Sequence, residues 1–150
     1  MGPTTWAAFT TRFTRLVRPD VIKPNAAETA EATGRDDVIG AADALRALGA
    51  GSVVVSAGPD GLFAVTPQGA WRAAPPQALS GNPTGAGDAC VAALAAGLAD
   101  GAARPELVRE AVALSAAAVP CPVVGEVDTD LYRNIRTSTA VEKIHAPHGN

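Results

Sequence analysis

Residues 36–56 constrain the fold most tightly. From Asp36, read as an N-cap, the apolar set Val38, Ala41, Ala42, Leu45 and Leu48 recurs with helical period until Gly49 and Gly51 end it. Ser52-Val53-Val54-Val55-Ser56 follows at once, a continuous β-branched run of the kind that is buried on both faces of a sheet. A helix feeding such a strand is part of a crossover unit, so an α/β fold on a parallel sheet is expected. Upstream, Val21-Ile22 reads as a short strand that stops at the polar tip Lys23-Pro24-Asn25.

Residues 5–18 place Trp6, Phe9, Phe13, Leu16 and Val17 at helical spacing, with Arg12, Arg15 and Arg18 near the polar side. An amphipathic helix packed on a sheet is the preferred reading. A Thr- and Arg-rich start with no acid before Asp20 is also what an organellar presequence looks like. Beyond the β-branched run the texture changes. Gly58-Pro59-Asp60-Gly61 is a turn, 62–66 a strand, Pro67-Gln68-Gly69 a second turn and 70–73 another strand, together an antiparallel meander. Residues 75–83 read as irregular, and an Ala-rich helix then runs from Gly85 through Leu98 to Asp100-Gly101. Pro105 suits the first turn of a further helix that Pro120 and Pro122 halt. A short helix over 127–136, a strand over 139–144 and a frayed tail over 145–150 complete the chain, which shows no repeat or long linker and is read as one domain.

Composition narrows the function. Of 150 residues 47% are hydrophobic, but 33 are Ala, so much of that fraction is small side chain. A chain of this length buries roughly two thirds of its unfolded surface and needs no disulfide or metal staple. Twelve Lys+Arg against fifteen Asp+Glu leave a net charge of −3, with no basic excess for a nucleic acid. No run of about eighteen apolar residues is present to span a membrane. Cys90 and Cys121 lack neighbours at metal-ligand spacing and read as two thiols in a reducing cytoplasm. His145 and His148 read as exposed rather than metal-binding, and Met1-Gly2-Pro3-Thr4-Thr5 has no secretory pattern.

Asn82-Pro83-Thr84-Gly85-Ala86-Gly87-Asp88 is the chemistry-bearing stretch, because small residues and an acid sit where an irregular segment becomes a helix. Small side chains admit a ligand close to the backbone, and first-turn amides with the helix dipole form an anion site, for which phosphate is the natural guest. Asp88 reads two ways, as a reactive acid or as a favourable partner of the helix dipole. The Walker pattern is excluded, since Asp88-Ala89 stands where Lys and Ser or Thr are required. The dinucleotide fingerprint keeps Gly85-x-Gly87, but Cys90 occupies its third small position.

The same stretch resembles the signature of the PfkB/ribokinase family of carbohydrate kinases, with Asn82, Pro83, Gly85, Ala86, Gly87, Asp88, Ala92 and Ala93 all within the allowed classes. Lys23-Pro24-Asn25-Ala26-Ala27-Glu28 resembles the family's second mark, and Ser56-Ala57-Gly58-Pro59-Asp60-Gly61 its Ser-x-Gly-x-x-Gly turn. The Lys-Pro-Asn form and Val123-Val124-Gly125-Glu126-Val127-Asp128 look most like the branch of 1-phosphofructokinase and tagatose-6-phosphate kinase.

The resemblance implies a ribokinase-like three-layer α/β/α fold, of which residues 1–150 would be the nucleotide-binding and catalytic half. It implies Asp88 as general base toward a sugar-phosphate hydroxyl attacking ATP, with Gly85, Ala86 and Gly87 as the anion hole. Asn25 and Glu28 would order Mg²⁺, although the same pair could equally form a capping box. Ser56, Gly58 and Gly61 would shape the turn over the triphosphate, and Lys23 would either meet a phosphate or cap a strand end. An adenine pocket is expected near 111–118. ATP and a sugar phosphate are the implied partners, with no nucleic acid and no membrane, and exposed sheet surfaces leave room for a homo-oligomer. The family's amino-terminal half, with its sugar-binding region and β lid, has no counterpart in the match. A truncated, catalytically silent nucleotide-binding module and a dinucleotide-binding domain stay open as alternatives.

Overall fold

The computed structural model describes residues 5–77, 81 and 85–144, with side chains from residue 7 onward. Expectations for Met1 to Thr4, the Trp6 side chain, Asn82, Pro83 and the histidine-bearing tail fall outside the described residues. The elements run α1 (Thr5–Val17), β1 (Val21–Ile22), α2 (Ala26–Thr33), α3 (Val38–Leu48), β2 (Ser52–Ser56), β3 (Leu62–Thr66), β4 (Gly69–Ala73), α4 (Ala86–Ala99), α5 (Arg104–Ala118), α6 (Thr129–Ser138) and β5 (Val141–Ile144). A 3-10 turn, Gly58–Asp60, joins β2 to β3. The strands form one mixed sheet in the order β1-β2-β3-β4-β5. β1 lies parallel to β2, with Val21 opposite Ser52, and β2 lies antiparallel to β3, with Val54 opposite Ala64. The crossover through α2 and α3, followed by a meander, is therefore the observed topology. The chain divides into two compact units, one of residues 1–58, 62–71 and 143–150, the other of residues 59–61 and 72–142.

In the first unit Ala42, Leu45, Ala50, Val53, Val55, Val65 and Ala70 form a buried cluster, with Ile22, Val38, Leu48 and Ile144 packed against it. Leu45, Val53 and Val55 are fully buried, and each such side chain contributes about 1.5–3 kcal/mol relative to exposure. The cap of α3 is Asp37, not Asp36: Asp37 has extended backbone, and its Oδ2 accepts from the Gly40 amide at 2.7 Å. Of two adjacent aspartates, only the one immediately before the first helical residue reaches that amide.

Helix α1 forms where expected but turns the other way. Ala7, Thr10 and Thr14 are buried, whereas Phe9 (63%), Leu16 (73%) and Val17 are exposed and Phe13 sits at 37%. The buried side packs on α2 and α3. Small residues permit close helix approach there, and the two phenylalanine rings stack on each other with centroids 5.7 Å apart.

In the second unit α4 and α5 pair along small side chains. Cys90, Ala93 and Leu94 form the buried stripe of α4, and a Cβ at Gly97 would come within 2.1 Å of Leu107 Cδ2. Helix α6 starts at Asp128, whose Oδ1 accepts from the Leu131 amide at 3.0 Å, and its Ile135 packs against Ala113 and Ala116 of α5. Glu110 of α5 accepts from the Tyr132 hydroxyl and from Arg136 Nε at 2.7 Å. Burial first, then the bond to Glu110 and its charge, push the Tyr132 hydroxyl above the ordinary tyrosine range, with Arg136 opposing. The protonated form is thus favoured by folding. Tyr132→Phe is expected to cost about 1 kcal/mol near neutral pH. That difference is complete below the unfolded tyrosine's pKa of about 10 and fades as pH rises through the higher folded value. Urea unfolding of both proteins across this range measures it.

Among the described residues no helix is long and apolar enough to cross a membrane. Cys90 is buried, Cys121 is half-buried, and neither is in a disulfide.

Candidate active site

The carboxyl ends of parallel strands are where open α/β sheets bind ligands, since the backbone there leaves the sheet and opens a crevice. In the first unit that position holds Lys23, just after β1, and Ser56, the last residue of β2. Lys23 Nζ donates to Ser56 Oγ at 3.3 Å across 33 positions of sequence, so two of the expected site residues meet. The Ser56 amide donates to Pro24 O at 3.1 Å, and Asn25 pairs with Ser56 in an isolated parallel bridge. This sets Lys23, Asn25 and Ser56 side by side.

Asn25 and Glu28 form a complete capping box on α2. Asn25 Oδ1 accepts from the Glu28 amide at 2.8 Å, and Glu28 Oε2 accepts from the Asn25 amide at 2.9 Å. Each carboxylate oxygen has more than one lone pair, and Oε1 of the half-exposed Glu28 is not used in the box. One carboxylate oxygen suits an ion that keeps most of its water shell, as Mg²⁺ does. Among the described residues no cluster of three or more His, Cys, Asp or Glu could hold a metal. Gly58, exposed with φ +53, opens the turn that follows β2, and nothing lies within 4 Å of where its Cβ would stand.

In the second unit the expected anion hole is the start of α4. Gly85 is the N-cap and makes no side-chain capping bond; Ala86, Gly87 and Asp88 are the first three helical residues. A glycine N-cap offers the first-turn amides no acceptor from its own side chain, an arrangement that suits an incoming anion. Asp88 is exposed, and Ala86 and Gly87 are half-buried. Val124 and Gly125 lie against the cap: a Cβ on Gly85 would meet Gly125 N, Val124 Cα and Val124 Cγ1, all at 3.6 Å. Sequence reasoning used these residues only to choose a branch of the family and missed their place beside Gly85. It also missed Ser115, whose hydroxyl donates to Ala86 O at 3.0 Å. Residues 111–118 hold α5 against its neighbours, and only Leu114 and Ser115 among them are half-exposed. Gly61 is buried with φ +89 against the backbone of Ala73 and Ala74.

Comparison with known proteins bears on family and fold. The model of the pfkB family of carbohydrate kinases matches residues 2–130. The 1-phosphofructokinase of Escherichia coli strain K12 is 38% identical over 115 residues, which are 73% of this chain and 37% of that protein. The ATP-dependent 6-phosphofructokinase isozyme 2 of the same strain is 38% identical over 104 residues, 69% of this chain and 34% of that one. The crystal structure of E. coli phosphofructokinase-2 in complex with fructose-6-phosphate superposes with a TM-score of 0.72 at 29% identity, covering 91% of this chain and 44% of that one. The chain thus spans less than half the length of these relatives. With the family model covering most of its length, and with the crossover sheet and the Gly-Ala-Gly-Asp helix start in place, the chain belongs to the pfkB family of carbohydrate kinases and carries its ribokinase-like α/β fold.

Proposed function

We propose that this chain is the nucleotide-binding and catalytic half of a kinase that transfers the γ-phosphoryl group of ATP to a hydroxyl of a sugar phosphate of the phosphofructokinase type. The observation that carries the reading is the start of α4, where an exposed carboxylate, Asp88, stands in the same turn as three small residues and the N-cap, Gly85, makes no side-chain capping bond. Asp88 takes the proton of the acceptor hydroxyl as its oxygen attacks phosphorus, and the bond to the ADP oxygen breaks. The amides of Gly85, Ala86 and Gly87 face the charge that gathers on the phosphoryl oxygens and are already oriented when it forms. Lys23, held by Ser56, offers positive charge to a phosphate at the end of β1, and Ser56 with Gly58 shapes the turn that leaves β2. Asn25 and Glu28 keep the end of β1 and the start of α2 rigid, and the remaining Glu28 oxygen would hold Mg²⁺ through its waters. Bound there, Mg²⁺ would neutralise phosphate charge.

ADP release from Mg·ATP, measured with fructose-1-phosphate, fructose-6-phosphate and tagatose-6-phosphate, tests the reading. Turnover on at least one ketose phosphate is the expected result. Stabilisation by Mg·ATP with no turnover on any of them would favour the silent nucleotide-binding module instead, and a protein that neither binds nor turns over Mg·ATP would overturn the proposal.

A further inference from the structure

We infer that Ser115 is a positioning residue that fixes the first turn of α4 for phosphoryl transfer, an inference that rests on the anion-hole reading above. Three observations lead there. The turn that would hold the transferring group begins at a glycine with no side-chain cap and has a second glycine two positions on, so its own sequence gives it little stiffness. Its first helical carbonyl, Ala86 O, is reached from outside the helix, by Ser115 Oγ at 3.0 Å from 29 positions away. A serine hydroxyl has one proton to donate, and inside a helix the usual acceptor is the carbonyl one turn back in the same helix. Ser115 gives that proton to α4 instead.

The consequence follows from the geometry of the peptide. By helical spacing the Ala86 carbonyl also accepts from the Cys90 amide, and its two lone pairs accommodate both donors. The peptide plane that carries Ala86 O carries the Gly87 amide on its other side, so a bond that fixes one direction fixes the opposite one. Ser115 therefore acts on the direction in which the Gly87 amide points, without itself meeting the substrate. Preorganised donors stabilise a transition state in proportion to how well they are aimed at the position the charge will occupy. The effect is expected to fall on a transition-state mimic and not on ground-state nucleotide.

Calorimetric binding of Mg·ADP, with and without aluminium fluoride, separates the possibilities in wild type and Ser115→Ala. Wild type should bind Mg·ADP more tightly when aluminium fluoride is present. Ser115→Ala should lose about fivefold of that gain, the size of one neutral hydrogen bond, and keep its affinity for Mg·ADP alone within about twofold. A purely structural serine would weaken both complexes alike or neither, and either result overturns the positioning role while leaving the anion hole standing. If wild type itself gains nothing from aluminium fluoride, the anion-hole reading falls, and the role of Ser115 with it.

Discussion

Asp88→Asn is expected to lower kcat for sugar-phosphate phosphorylation by roughly a hundredfold to ten-thousandfold, the range that a general base contributes. The amide keeps the size of the side chain and its place at the third position of α4, but it cannot accept the hydroxyl proton. Its effect on ground-state binding should be small, because in the proposed arrangement Mg·ATP would meet the backbone amides of the turn rather than the carboxylate. The expected pattern is therefore a large fall in kcat with the Kd for Mg·ATP changed by no more than about threefold. Equal fall in both would assign Asp88 to nucleotide binding, and an unchanged kcat would remove it from the chemistry. A carboxylate in the first turn also interacts favourably with the helix dipole, by about 0.3–1 kcal/mol at an exposed position. Loss of that term alone shifts stability slightly and does not touch the proton transfer.

Gly61→Ala is expected to destabilise the fold by about 3 kcal/mol, combining a left-handed backbone with a collision. The residue has φ +89, and an added Cβ would lie 2.1 Å from Ala73 O and 2.7 Å from Ala74 Cα. These are backbone atoms on the neighbouring strand end, which cannot swing aside as a flexible side chain would. For a chain of this size such a loss corresponds to a fall in Tm of about 6–12 °C. Gly58→Ala is the internal control. Its φ of +53 carries only the left-handed penalty, about 1–2 kcal/mol, since its Cβ would project into open space. Thermal unfolding of the two variants should rank Gly61→Ala well below Gly58→Ala. Comparable Tm values would mean that the close approach at Gly61 is not what that glycine is for.

The two glycines show why motif reading is incomplete. Ser56-Ala57-Gly58-Pro59-Asp60-Gly61 pointed to one phosphate-facing turn, yet its last glycine answers to packing against Ala73 and only its first stands in the open. Most of the alternation of helix and strand was legible because caps, prolines and β-branched runs are local signals, while α2 entered only as the alternative reading of Asn25 and Glu28. Asn25 and Glu28 were legible as a capping box for the same reason, three residues apart on one turn. What the sequence left hidden is set by long-range register. The Lys23–Ser56 contact exists because β1 and β2 run in parallel, and the Ser115–Ala86 bond because small residues let α4 and α5 approach closely. Helix α1 makes the point from the other side. Periodicity identified which residues share a face, and Phe9, Leu16 and Val17 do share one, but the buried face is that of Ala7, Thr10 and Thr14. Among the described residues the buried Thr14 hydroxyl has no hydrogen-bond partner, a cost that a reading of hydrophobicity alone has no means to foresee.

A crystal structure of the active protein with Mg²⁺, a non-hydrolysable ATP analogue and its sugar phosphate would test the central claim most directly. It should place the Asp88 carboxylate about 2.6–3.2 Å from the acceptor hydroxyl, directly or through one water, with the γ-phosphate over the amides of residues 85–87. An acceptor hydroxyl served by another base, with Asp88 turned to solvent and the γ-phosphate held away from that turn, would contradict it.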